Sequence, residues 1–153
     1  MSKPSTQLWR ASVRLTAAAS FALTSLSTLL LTQTPALADV VVIVHPSNKA
    51  AIDDDAISKL FLGQLKTFPG GAAATPVDQK QAATAEEFHL KVLNKSDKDV
   101  RKLWARQVFT GGLQPPAMLE DDDAVLQYVA TTPEAIGYVQ AAKVNNKVKV
   151  VRK

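Results

Sequence analysis

The stretch "DVVVIVH", from Asp39 to His45, decides the fold class of this chain. Its centre is a continuous run of β-branched residues without a polar position, which is typical of a strand buried on both faces. Such strands occur in sheets that helices cover on both sides. The run therefore predicts an α/β layer structure.

Helical and extended segments alternate after this first strand. Asp53, Asp54 and Asp55 place carboxylates at a helix start, and Ile57 and Leu60 follow on one face. Similar signals predict helices around residues 84–92, 100–110 and 121–129, the second of them with Val100, Trp104 and Val108 on its inner face. Strands are predicted at "AAATPV", "AIGYV" and "KVKVV", the last at a sheet edge, and "LQPPAM" is predicted to be irregular. The predicted order is β-α-β-α-α-α-β-β, which gives a small mixed sheet flanked by helices.

The first 38 residues have the pattern of a signal peptide. Lys3, Arg10 and Arg14 form a basic segment, residues 15–31 are mostly apolar, and "ALA" ends at Ala38 with the small residues of a cleavage site. A membrane anchor is the competing interpretation because the apolar stretch is 17 residues long, but it carries six Ser and Thr residues. We expect cleavage after Ala38, a single domain over residues 39–153, a periplasmic or secreted location, and no stable membrane insertion afterwards.

Charge and cysteine content exclude several function classes. Three of the 18 basic residues lie in the predicted leader, and the remaining 15 almost balance the 14 acidic residues. A domain with balanced charges lacks the basic surface that binds nucleic acid, so we expect no nucleic-acid partner. The chain has no cysteine, which excludes disulfides, thiol catalysis and cysteine-based metal sites.

No arrangement of residues indicates catalysis or a metal. His45 and His89 do not have ligand spacing, and no serine lies in a nucleophile elbow, so we expect no enzyme activity, no metal and no cofactor. Phe68, in a proline-glycine loop, is the aromatic residue expected to be exposed. Thr84 and Glu87 have the spacing of a capping box, which predicts Thr84 as the N-cap of a helix.

The motifs "ISKLFLGQLKTFPGG", "TPVDQ" and "TPEAIGYVQ" occur in this order between Val40 and Gln140. Together they resemble the periplasmic phosphate-binding proteins of ABC transporters. The resemblance implies one lobe of a type 2 periplasmic-binding-protein fold, with a ligand near the turn from Asp78 to Thr84. Members of that family close two such lobes on the ligand, whereas residues 39–153 supply only one.

The predicted binding turn departs from the family pattern. Asp78 stands at the position of the family's arginine, Gln81 and Ala83 replace glycines, and Thr84 is unchanged. An aspartate 4 Å from an anion repels it by roughly 4 kcal/mol per unit of charge at an effective dielectric constant of about 20.

Two hypotheses follow. The first is an exported accessory solute-binding domain that takes phosphate or another small oxyanion. The second is a one-lobe relative that has lost solute binding and contacts an envelope protein or its own copy. For a ligand, the resemblance and the strand ends indicate these residues: Ser47, Asn48, Gln79, Lys80 and Thr84.

Overall fold

The structure is a computed structural model that describes residues 39–153, so the predicted signal peptide and its cleavage site lie outside the described residues. The strands are β1 (Val40–Val44), β2 (Thr75–Gln79), β3 (Ala117–Leu119), β4 (Ala135–Gln140) and β5 (Lys149–Arg152). The helices are α1 (Asp54–Phe61), α2 (Ala82–Lys91), α3 (Asp97–Gly111) and α4 (Asp122–Thr131). A short 3-10 helix, Ala141–Lys143, follows β4.

The strands form one mixed sheet in the order β3-β2-β4-β1-β5. Strand β2 runs parallel to β3 and β4, and β1 runs antiparallel to β4 and β5. Because β2 and β4 are parallel, their carboxyl ends lie at the same edge of the sheet. The predicted mixed α/β sheet is therefore confirmed, and β5 is the predicted edge strand.

Strand β1 contributes to a hydrophobic core on each face of the sheet. Val40, Val42 and Val44 pack in one core, with the side chains of α1, α2 and α3. Val41 and Ile43 pack in the other core, with those of α4. Side chains of a strand point alternately to its two faces, so the doubly buried strand that the β-branched run predicts is confirmed.

The aspartate runs cap helices, as predicted. The Asp53 side chain accepts a hydrogen bond from the Ala56 N–H at 2.7 Å at the start of α1, and Asp121 accepts one from the Ala124 N–H at 2.9 Å at the start of α4. Within residues 39–153, no helix has the length and apolar character that crossing a membrane requires.

Three predictions about surfaces and strands are wrong. Ala117 and Met118, in the segment predicted to be irregular, pair with β2 as part of β3, because the two prolines precede them and leave their N–H groups free to bond. Phe68 is buried at 2% exposure, whereas Phe109 is 93% exposed. Val108, expected on the inner face of α3, is 46% exposed.

Candidate functional site

The carboxyl ends of β2 and β4 meet the starts of α2 and α4 at one edge of the sheet. We call residues 78–84, 120–123 and 140–143 the strand-end edge. The Lys80 N–H donates to the Leu119 carbonyl at 2.8 Å, and the Lys80 side chain pairs with Glu120. These contacts join the turn after β2 to the turn after β3, so the edge is a continuous surface.

The Asp78 carboxylate accepts hydrogen bonds from neighbouring groups of the same domain. Its Oδ1 accepts from the Tyr138 hydroxyl of β4 and, at 2.8 Å, from the Gln79 N–H. The Asp78 side chain is 15% exposed, and its Oδ2 lies 3.7 Å from His89 Nε2 on α2. The Asp78 carboxylate is therefore used in contacts inside the protein.

This network shifts two pKa values in opposite directions. Burial alone would raise the pKa of Asp78, but the nearby His89 ring and the hydrogen bonds from Tyr138 and the Gln79 N–H outweigh it and hold that pKa below its usual range. Burial, followed by the nearby Asp78 charge, raises the pKa of Tyr138. At neutral pH the pair is thus a carboxylate and a phenol that donates to it.

His89 lies between two carboxylates beneath the turn. Its ring is buried, with Nε2 facing Asp78 and Nδ1 lying 3.2 Å from Asp97 Oδ1 at the start of α3. The histidine therefore lies between α2, β2 and α3. Residues 39–153 contain no group of three potential ligands that could hold a metal ion.

A second buried pair joins β2 to α4. Gln79 is 1% exposed and Asp122 is 3% exposed. The Gln79 side-chain amide donates at 3.0 Å both to Asp122 Oδ1 and to the Tyr138 carbonyl. Both amide hydrogens are therefore used inside the protein, and Gln79 has no free donor for an anion.

The start of α2 differs from the predicted capping box. The helix begins at Ala82, its N-cap is Gln81, and no side chain accepts a hydrogen bond at this end. Thr84 lies inside the helix, where its hydroxyl accepts from the Gln140 side-chain amide at 3.1 Å, and Glu87 pairs with Lys91 at 2.5 Å. The prediction that Thr84 is the N-cap is wrong because Thr84 bonds across to β4.

The five predicted site residues lie at two ends of the sheet. Gln79, Lys80 and Thr84 are at the strand-end edge. Strand β1 is antiparallel to β4, with Val44 opposite Ile136, so Ser47 and Asn48 follow β1 at the opposite end. There the Ser47 hydroxyl lies 2.7 Å from His45 Nδ1, and the side chain of Asn48 accepts from the Ala50 N–H at 2.9 Å.

The strand-end edge carries more negative than positive charge. It has five carboxylates, from Asp78 and residues 120–123, against two lysines, Lys80 and Lys143. Lys80 pairs with Glu120, and Lys143 lies 3.8 Å from Asp123. Each remaining carboxylate about 8 Å from a bound anion would repel it by about 2 kcal/mol per unit of charge at an effective dielectric constant of about 20.

Three solved structures are similar to this lobe. A Clostridium perfringens protein described as a phosphate ABC transporter substrate-binding protein, with phosphate bound, matches 73% of this chain and 43% of its own at a TM-score of 0.57 and 13% identity. For an ABC-type phosphate transport receptor from Vibrio cholerae, the match covers 75% of this chain and 46% of the receptor, with a TM-score of 0.58 and 14% identity. For PstS from Borrelia burgdorferi, the match covers 74% of this chain and 46% of PstS, with a TM-score of 0.53 and 13% identity.

The fold is similar to one lobe of these binding proteins. The chain spans less than half the length of each of these structures, which agrees with a single lobe. No family model and no curated protein matches the sequence. The first two structures are described as transport proteins, and the fold expected from the resemblance is confirmed.

Sequence reasoning missed most of the residues whose side chains hydrogen-bond to the turn at the strand-end edge. Tyr138, Asp122 and Gln140 all bond to residues of the turn, yet none was a site candidate. A signal was available for Tyr138: a tyrosine in a buried strand needs a partner for its hydroxyl. No local signal indicates that Asp122 would be buried rather than exposed at its helix start.

Replacing Tyr138 by phenylalanine should lower the free energy of unfolding at neutral pH by about 1–3 kcal/mol, because Asp78 loses a charge-assisted hydrogen bond. The lowered pKa of Asp78 stabilises the fold above the carboxyl's unfolded pKa of about 4, and this stabilisation is lost as the pH falls through the lower folded pKa. The difference between variant and parent should therefore shrink in acid. Denaturant unfolding at several pH values measures it.

Tyr128→Phe is the matched control. Tyr128 is half-buried on α4, and its hydroxyl makes no hydrogen bond to any of residues 39–153. Its loss should change the free energy of unfolding by less than about 0.5 kcal/mol. Equal effects of the two substitutions at every pH would show that the Tyr138–Asp78 bond contributes nothing specific.

Proposed function

We propose that this chain is an exported lobe that acts by contact with another macromolecule of the cell envelope at its strand-end edge. The observation that carries the proposal is the internal use of Asp78, whose carboxylate accepts hydrogen bonds from Tyr138 and the Gln79 N–H and lies 3.7 Å from His89. A turn held in this way keeps its shape without a ligand. It therefore suits a fixed contact surface better than a site that must close on a solute.

The charge of the edge indicates the kind of partner. Glu120, Asp121 and Asp123 are exposed around the buried Gln79–Asp122 pair. A protein surface rich in lysine and arginine complements these carboxylates.

Site-specific photo-cross-linking in cells that export the chain tests this proposal. A photoreactive residue replaces Asp121 at the strand-end edge or, as a matched control, Asp55, which is exposed in α1 at another part of the surface. We expect a discrete cross-linked protein from position 121 and none from position 55. Equal products from both positions, or none from position 121, would contradict the proposal.

Oxyanion binding at the start of α2 is the second candidate, and one observation favours it. Because no side chain caps this helix, its first N–H groups are free of a side-chain acceptor, as at helix starts that bind phosphate. Lys80 and Thr84 lie beside these groups, whereas Ser47 and Asn48 lie at the opposite end of the sheet. The excess of carboxylates at the edge opposes this candidate.

A further inference from the structure

Helix α3 presents an unusual outer face. Of its fifteen residues, Val100 and Trp104 are buried, and most of the others are exposed. Residues at positions 98, 102, 105 and 109 fall on one side of a helix because they are three or four residues apart. The α3 outer face is this row with its two flanking arginines: Lys98, Arg101, Lys102, Ala105, Arg106 and Phe109.

The charge of this face is positive and largely unpaired. Lys98, Lys102 and Arg106 form no ion pair with a carboxylate of residues 39–153, whereas Arg101 pairs with Asp97 at 2.8 Å. Asp99, the other acidic residue of α3, is turned towards the Ser96 hydroxyl at 2.7 Å. The face is therefore cationic although the charges of the described lobe nearly balance.

Phe109 stands at the end of this cationic row. It is 93% exposed, and the neighbouring Val108 is 46% exposed. Phe61, Phe68 and Phe88 of the same lobe are all buried. Phe109 and Val108 therefore give this cationic face an apolar end that is available to a partner.

We propose that the α3 outer face docks on an anionic phospholipid surface, with the helix axis parallel to the membrane. Lysine and arginine side chains reach lipid phosphates from such an orientation, and the phenylalanine enters the boundary between headgroups and acyl chains. The unpaired cations Lys98, Lys102 and Arg106 are spread along about two turns of the helix. A diffuse layer of lipid phosphates matches this distribution better than the defined carboxylates of one acidic protein.

The inference does not depend on the strand-end edge, which is acidic and is formed by other elements. Docking through α3 is peripheral and agrees with the expectation that the cleaved chain does not insert stably into a membrane. It also accounts for the exposure of Phe109 and Val108, which the fold leaves unexplained.

Vesicle co-sedimentation of residues 39–153 tests the inference. Both hydrophobic cores close within these residues, and circular dichroism with a cooperative melt confirms folding of each variant before use. The vesicles contain phosphatidylcholine alone or an equal mixture with phosphatidylglycerol. We expect binding to the mixed vesicles only, and loss of that binding at high salt.

Substitutions assign the binding to α3. Lys98→Gln with Lys102→Gln should weaken it by about 25-fold, at about fivefold per charge. Phe109→Ser should weaken it by about tenfold. Lys66→Gln with Lys147→Gln, which removes two exposed lysines from other parts of the surface, is the matched control and should leave binding unchanged.

Three outcomes would overturn the proposal. They are absence of binding to the anionic vesicles, equal losses from the α3 and control pairs, and binding to polyglutamate that exceeds binding to the vesicles. The last result would assign the face to an acidic protein instead.

Discussion

Replacing Phe88 by alanine should lower the free energy of unfolding by about 3–5 kcal/mol, the largest effect expected of any substitution considered for this lobe. Phe88 is fully buried on α2. Its ring stacks on Tyr138 with centroids 3.9 Å apart and meets Phe61 edge-on at 4.7 Å. Alanine would leave a cavity where three aromatic rings now connect α1, α2 and β4.

Phe109→Ala is the matched control because it removes the same side chain from the surface. With 93% of Phe109 exposed, its loss should change the free energy of unfolding by less than about 0.5 kcal/mol. Chemical denaturation of both variants, with the slope against denaturant compared to that of the parent, measures the difference. A loss below about 1 kcal/mol for Phe88→Ala would contradict the aromatic cluster as the centre of this core.

Gly137→Ala should destabilise the fold by about 1–3 kcal/mol through overpacking. Gly137 lies in β4, where an added Cβ would be 2.7 Å from Val125 Cγ1 and 3.0 Å from Val77 Cγ2. The contact with Val125 is shorter than carbon atoms tolerate and the contact with Val77 is very tight, so α4 would have to move away from the sheet. The glycine is therefore required by the close packing of α4 rather than by its backbone conformation.

Gly111→Ala provides the control within α3. A Cβ at Gly111 would meet Leu113 Cγ at 3.9 Å, an ordinary contact distance. Alanine also has a higher helix propensity than glycine, so this substitution should be neutral or stabilise the protein by up to about 1 kcal/mol. Thermal melts of the two glycine variants compare them directly. Similar melting temperatures would contradict the tight packing of α4 on β4.

Much of the fold could be predicted because its signals are local. The β-branched run of β1 indicates burial on both faces, and Asp53 and Asp121 sit at helix starts that they cap. Strand β3 could not be predicted in this way, since its three residues follow two prolines and are held by pairing with β2. That pairing is a tertiary contact with no counterpart in local sequence.

The candidate site was harder to predict because its bonds join distant parts of the chain. The spacing of Thr84 and Glu87 predicts a capping box, but Thr84 bonds to Gln140, far along the chain. Asp78 was singled out as a departure from the family pattern, and this assignment stays a prediction. Its partners Tyr138 and His89 become apparent only when β4 and α2 lie beside β2.

Titration of residues 39–153 with inorganic phosphate, followed by calorimetry and by amide NMR spectra, tests the central claim most directly. A lobe whose turn is held by its own side chains and surrounded by carboxylates should give no saturable heat at millimolar phosphate. The amide signals of residues 80–84 should not move. Saturable one-to-one binding that shifts those amides, and that Thr84→Val weakens, would contradict the account and establish oxyanion binding at the start of α2.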